Sequence, residues 1–174
     1  WGIWLDPDDG EWDMMQAKCY RLLEQTTGWQ QSLESATAKG VSTDWIALER
    51  QFGSIASGHV LEGMQDIQQP FLAAGLPMDD IALAILRGYL ASGDHGKARE
   101  QLEQWETSRV PDAHGAYMWA VYWEAERQRS EAVKQLVRAL DEQPDHELAR
   151  MLLAQLYDSE NLLDLALQEY VELV

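Results

Sequence analysis

Tyr89, Trp123 and Tyr157 follow one another at a step of 34, and Ala98, Ala132 and Ala166 keep the same step. Leu102, Leu136 and Tyr170 make a third column with that period. Three columns in one register identify a chain built from repeats, in which each unit buries its apolar face against its neighbours. Such arrays are surfaces before they are pockets, so partners come to mind ahead of substrates.

Apolar residues recur at three- and four-residue steps almost throughout, and no stretch alternates for long with the period of a strand. The fold class expected is therefore all-α. Glycine, proline and polar turns divide the chain into about ten helices, paired as about five helix-turn-helix units. The first pair covers Glu11 to Gln25 and Trp29 to Lys39, with Gly28 between them. Gly40 and Ser42 open the second, which turns at Gly58, contains Pro70 in its second helix and ends at Gly75-Leu-Pro77. The third begins near Met78, turns at Gly93-Asp94 and ends before Pro111; the fourth begins near Asp112, turns near Arg129-Ser130 and ends before Pro144. The fifth begins at Asp145, turns at Ser159-Glu160-Asn161 and runs to Val174. Asp112, Ser130 and Asp145 are the expected N-caps, because their side-chain oxygens can accept the orphan amides of a first turn.

Thirteen basic against thirty acidic residues leave a net charge of -17 on 174 residues. That balance repels phosphate backbones, since nucleic-acid binding depends on Lys and Arg releasing counterions. Nucleic acid is not an expected partner; the acidic excess favours solubility and basic partners, and many soluble proteins are as acidic without any such partner. Cys19 is the only cysteine, so no internal disulfide forms. No stretch reaches the roughly 18 apolar residues that span a bilayer. The chain opens on Trp1-Gly-Ile-Trp-Leu5 without an initiating Met, and it reads as a segment of a longer protein with no compartment assigned.

Residues 79 to 174 resemble three tandem tetratricopeptide repeats, 79–112, 113–146 and 147–174. The family pattern sets a small residue, an aromatic, a turn glycine, an alanine, a large apolar residue, a second alanine and a proline along each unit. The middle unit supplies Ala120, Trp123, Ala132, Leu136, Ala139 and Pro144, with Ser130-Glu131 at its turn instead of glycine. The last supplies Ala154, Tyr157, Ala166 and Tyr170, with Leu173 in place of the second alanine. The first supplies Tyr89, Gly93, Ala98 and Leu102, but has Leu86 and Trp105 at the two small positions. Residues 11 to 78 read as two degenerate pairs, in which Gly58, Gly63 and Ile67 follow a step of 35 and Phe52 and Ile55 a step of 34. Residues 1 to 10 lie outside the repeats. The resemblance implies a right-handed α-α superhelix, a single continuous solenoid.

No catalytic, cofactor or metal site emerges from the residue patterns. Gly93-Asp-His-Gly96-Lys97-Ala98 ends like a phosphate-binding loop, but the full motif requires a glycine where Ala91 stands and a hydroxyl where Ala98 stands. An inter-helix turn is expected there. Asp6, Asp8, Asp9, Glu11 and Asp13 do not have calcium-loop spacing around Gly10 and are expected to begin a helix favoured by its dipole. His59, His95, His114 and His146 lack zinc-ligand spacing with each other or with Cys19. Eight tryptophans are expected mostly to pack, Trp119 and Trp123 one turn apart among them; Trp1 and Trp4 lie outside the repeats.

The resemblance also implies a concave groove lined by the first helix of each pair. Transferred residue by residue, it places Asp80, Leu83, Arg87 and Leu90 there, then His114, Tyr117, Val121 and Glu124, and finally Leu148, Met151, Gln155 and Asp158. The partner-binding set is Leu83, Arg87, His114, Tyr117, Val121, Glu124, Met151, Gln155 and Asp158, a mixed surface suited to a peptide or an amphipathic helix. The lysines that clamp chaperone tails in such grooves are replaced by Leu83, Tyr117 and Met151, which argues against that use. Apolar residues spread around the last helix, from Leu162 to Val174, so this end is expected to be covered by further repeats or by a second copy. The expected function is a non-catalytic protein-interaction scaffold. The alternatives are a docking segment of a larger multidomain enzyme and a homo-oligomerisation module acting through the last helix.

Overall fold

The computed structural model of the chain describes residues 10–23, 25–56, 77–108 and 110–173. Nine α-helices and no strands are present among the described residues. They are α1 (Gly10–Leu22), α2 (Thr26–Ala38), α3 (Thr43–Ala56), α4 (Met78–Ala91), α5 (His95–Ser108), α6 (Ala113–Ala125), α7 (Arg129–Glu142), α8 (Glu147–Ser159) and α9 (Leu163–Val171). None of them is long and apolar enough to cross a membrane. Two compact units are formed, Trp1–Ile55 and Ala56–Val174. The proposed turn at Gly58, the kink at Pro70, Gly63 and Ile67 lie outside the described residues, as do Trp1, Trp4, Asp6, Asp8, Asp9 and His59.

In the first unit, α1 and α2 pack as a pair around Met14, Ala17, Leu33, Ala36 and Ile46, with Trp29 and Val41 against the cluster. Gly28 lies within α2 and does not separate two helices; the break falls at Leu23 to Gln25, where the Gln25 amide donates to the Tyr20 carbonyl at 2.8 Å. Gly53 of α3 is covered directly by the Trp29 ring, and a Cβ there would collide with the indole. Ionic contacts cross this unit between described residues. Arg21 Nε donates to Glu49 Oε1 at 2.6 Å, and Lys39 Nζ lies 2.8 Å from Asp13 Oδ2. Glu49 also accepts from Trp29 Nε1 at 3.2 Å, and the Arg21 guanidinium lies 4.2 Å above the Phe52 ring centre. The Arg21 and Glu49 side chains are almost fully buried, so each depends on the other for solvation.

The second unit repeats its helices in step. First helices end at Ala91, Ala125 and Ser159, and second helices begin at His95, Arg129 and Leu163, so both series keep the step of 34. The turns repeat at the level of single hydrogen bonds. Asp94, Gln128 and Leu162 donate to the carbonyls of Tyr89, Trp123 and Tyr157 at 2.9, 2.8 and 2.9 Å. Gly93, Arg127 and Asn161 donate to Leu90, Glu124 and Asp158, and these three residues hold φ of 79°, 58° and 60°. This is the closure in which a left-handed residue lets two amides satisfy the last carbonyls of a helix. The fourth pair thus turns at Arg127, earlier than the expected Arg129-Ser130, and Ser130 lies inside α7 and caps nothing.

The aligned small residues explain the tight hairpins. Ala98, Ala132 and Ala166 are buried on the second helices, and Ala120 and Ala154 on the first, where the leading unit has the buried Leu86. Leu102 and Leu136 are closed off as well, whereas Tyr170 in the same column is 39% exposed. The difference follows from neighbours: α5 packs against α4 and α6, and α7 against α6 and α8, while the extensive packing of α9 is with α8.

Candidate functional site on the first helices

The first helices α4, α6 and α8 carry the residues expected to face a groove, and their surroundings differ sharply along the array. Leu83 and Tyr117 are enclosed, at 1% and 2% exposure, and belong to the core. This corrects their expected place on an open surface, because an enclosed side chain has no face left for a partner. Arg87, His114, Val121 and Met151 are half-buried, and Glu124, Gln155 and Asp158 are exposed. The face is thus closed at α4 and the start of α6, and open from the end of α6 across α8.

The closed part is held by polar contacts between aromatic rings. Arg87 Nη2 donates to Tyr117 Oη at 3.1 Å, tying α4 to α6. His114 Nε2 lies 3.3 Å from the Asp79 carbonyl oxygen, which can only accept, so this nitrogen carries the proton. His114 stacks on His146 with centroids 6.1 Å apart and planes at 22°, and Tyr117 meets His146 at 5.2 Å. Trp105 flanks His114 at 6.4 Å.

His146 caps α8. Its Nδ1 accepts from the Ala149 amide at 3.2 Å, a role open only to an unprotonated nitrogen. Burial, and then the neighbouring His114, push its imidazole below the ordinary value of 6.5, which keeps the acceptor available. Asp145 was the expected cap and is displaced by its neighbour. Asp112 does cap α6, accepting from the Gly115 amide at 2.7 Å. The signal for His146 was present in the register, since it stands one full repeat step after Asp112.

The phosphate-loop-like segment is an inter-helix turn. Asp94 accepts from the Lys97 amide at 3.2 Å and pairs with Lys97 Nζ at 2.8 Å, so the lysine is engaged by its own loop. The hydrogen bonds from Lys97 hold the Asp94 carboxyl below the usual carboxylate value. A shallow cleft of about 220 Å³, open solvent included, is bordered by Trp105, Pro111, Asp112, Gly115 and Arg138. These residues include no nucleophile set against a base. Among the described residues no three His, Cys, Asp or Glu side chains converge as metal ligands.

The open part carries negative charge. No described cation pairs with Glu124 or Asp158, whereas the two basic residues of the first helices are engaged: Arg87 by Tyr117, and Arg150 by Glu169 at 2.8 Å and the Pro144 carbonyl at 2.7 Å. Five of the remaining described basic side chains, Lys97, Arg99, Arg129, Lys134 and Arg138, lie on the second helices α5 and α7. No family model, curated protein or solved structure matches the chain.

Proposed function

We propose that the chain is a protein-interaction scaffold of helical hairpins of the tetratricopeptide class, which binds a peptide or helical segment of another protein and catalyses no reaction of its own. The observation that supports the reading is the passage of the first-helix face from enclosed to open, with Val121, Glu124, Met151, Gln155 and Asp158 left accessible in the repeat register. A face of mixed apolar and acidic residues, whose own basic residues are engaged within the chain, suits a ligand that brings apolar anchors and positive charge.

Affinity capture with the 174-residue chain tests this against Met151→Arg, Glu124→Arg and, on a different surface, Leu167→Gln. A partner retained by Leu167→Gln and lost by both face variants is the expected result. Partner sets identical for all four proteins would sink the reading.

A further inference from the structure

The exposed apolar surface is concentrated away from the first-helix face. Eleven large hydrophobic residues are exposed among those described, and six of them are Leu162, Leu163, Leu165, Leu167, Tyr170 and Val171. Leu163, Leu167, Tyr170 and Val171 follow the spacing of one helical face, while Ala166 between them points into the α8–α9 hairpin. This is a coherent stripe and not a scatter of single residues.

The register identifies the shape of what fits there. Tyr170 stands in the column of Leu102 and Leu136, and those two are closed where a second helix packs over α5 and α7. The face is thus of a kind that this fold covers with a helix. Charge identifies the rest. Residues 147 to 173 carry six acidic side chains (Glu147, Asp158, Glu160, Asp164, Glu169, Glu172) against one basic, Arg150. Arg150 is engaged by Glu169, and Glu160 lies 3.9 Å from Arg129. A second copy would bring the same excess of carboxylates to its own image, and an anionic membrane would be repelled likewise. Residues 1 to 9 and 57 to 76 contain neither Lys nor Arg, so neither of those segments supplies the complementary charge.

We infer that the α9 face is a docking site for a cationic amphipathic helix from another polypeptide, its apolar stripe seated on Leu163, Leu167, Tyr170 and Val171 and its Lys or Arg flank facing Asp164. The inference is independent of the first-helix reading, because the two surfaces share no residue.

The probe is a fluorescent helix-forming peptide of about 18 residues, about 27 Å long, with leucines at three- and four-residue spacing and lysine flanks. Its counterpart carries glutamate flanks. Binding to the 174-residue chain is followed by anisotropy, with circular dichroism of each variant as the control for folding. The lysine peptide is expected to bind, to weaken with rising salt, and to lose about tenfold or more in affinity with Leu167→Gln/Val171→Gln. It is expected to weaken also with Asp164→Lys. Equal binding of the two peptides, or full binding by the α9 variants, would overturn the inference. So would concentration-dependent self-association in sedimentation that the Leu167→Gln/Val171→Gln change abolishes, since the occupant would then be a second copy.

Discussion

Arg127 occupies the left-handed backbone position that Gly93 holds one repeat earlier, at φ 58° against 79°. A side chain at such a φ meets its own carbonyl, at a cost of about 1–2 kcal/mol, while glycine meets nothing. The closing hydrogen bonds of the turn compensate, and the Gln128 amide reaches the Trp123 carbonyl at 2.8 Å. Arg127→Gly is expected to raise stability by about 0.5–1 kcal/mol, the relief of strain being offset in part by the freer unfolded chain. Gly93→Ala should lower it by a similar amount. Urea unfolding of the two variants checks both signs.

A second prediction concerns pH. The folded chain holds His146 neutral as the α8 cap, with His114 opposing its protonation and Asp145 and Asp112 favouring it. Its folded value is lowered, so the unfolded chain binds the proton first as pH falls below 6.5. Stability is present in full above that value and declines as pH falls through the window down to the folded value. Asn caps a helix without titrating there. The stability of His146→Asn, measured against wild type across that window, should therefore decline less steeply on acidification. Parallel curves would contradict the assignment.

The buried Arg21–Glu49 pair gives a third. Glu49→Ala leaves the guanidinium buried over the Phe52 ring without its carboxylate and should cost about 3–5 kcal/mol. Arg21→Met with Glu49→Leu removes both charges and should cost far less than the two single changes added. A double-mutant cycle by denaturant unfolding measures the coupling. Strict additivity would show that the pair contributes little.

Two members of one column make a fourth. Leu136 is fully enclosed, and its change to Ala should cost about 2–5 kcal/mol through lost burial and the cavity left behind. Tyr170 keeps 39% of its surface in solvent, and Tyr170→Ala should cost well under half as much. Thermal melts compare them directly.

The helical fold and the repeat step were legible because the small and aromatic columns are a direct record of hairpin packing. Register overrides residue preference at one turn and one cap. Ser130 and Asp145 are good capping residues, yet the turns and caps obey the step from Gly93 to Arg127 and from Asp112 to His146. Register, followed strictly, would have located both. The enclosure of Leu83 and Tyr117 had no such signal, since it depends on what lies opposite each residue once the helices have packed. Arg21 and Glu49 are 28 residues apart and belong to no column, so their pairing was invisible in the sequence.

The identical turn closures make the second unit divisible. Residues 113 to 146 begin and end at equivalent points of successive hairpins, so their excision would join Asp112 to Glu147 in phase and lay α8 on α5 as it now lies on α7. Most contacts at the new seam would have an existing counterpart, but the Arg87–Tyr117 bond would not, because Met151 stands in the place of the tyrosine. A chain shortened by that one repeat should still melt cooperatively by circular dichroism, and a broad, uncooperative melt would refute it. The protein's length is thus a quantity that duplication or deletion can alter in whole units without a new interface being invented.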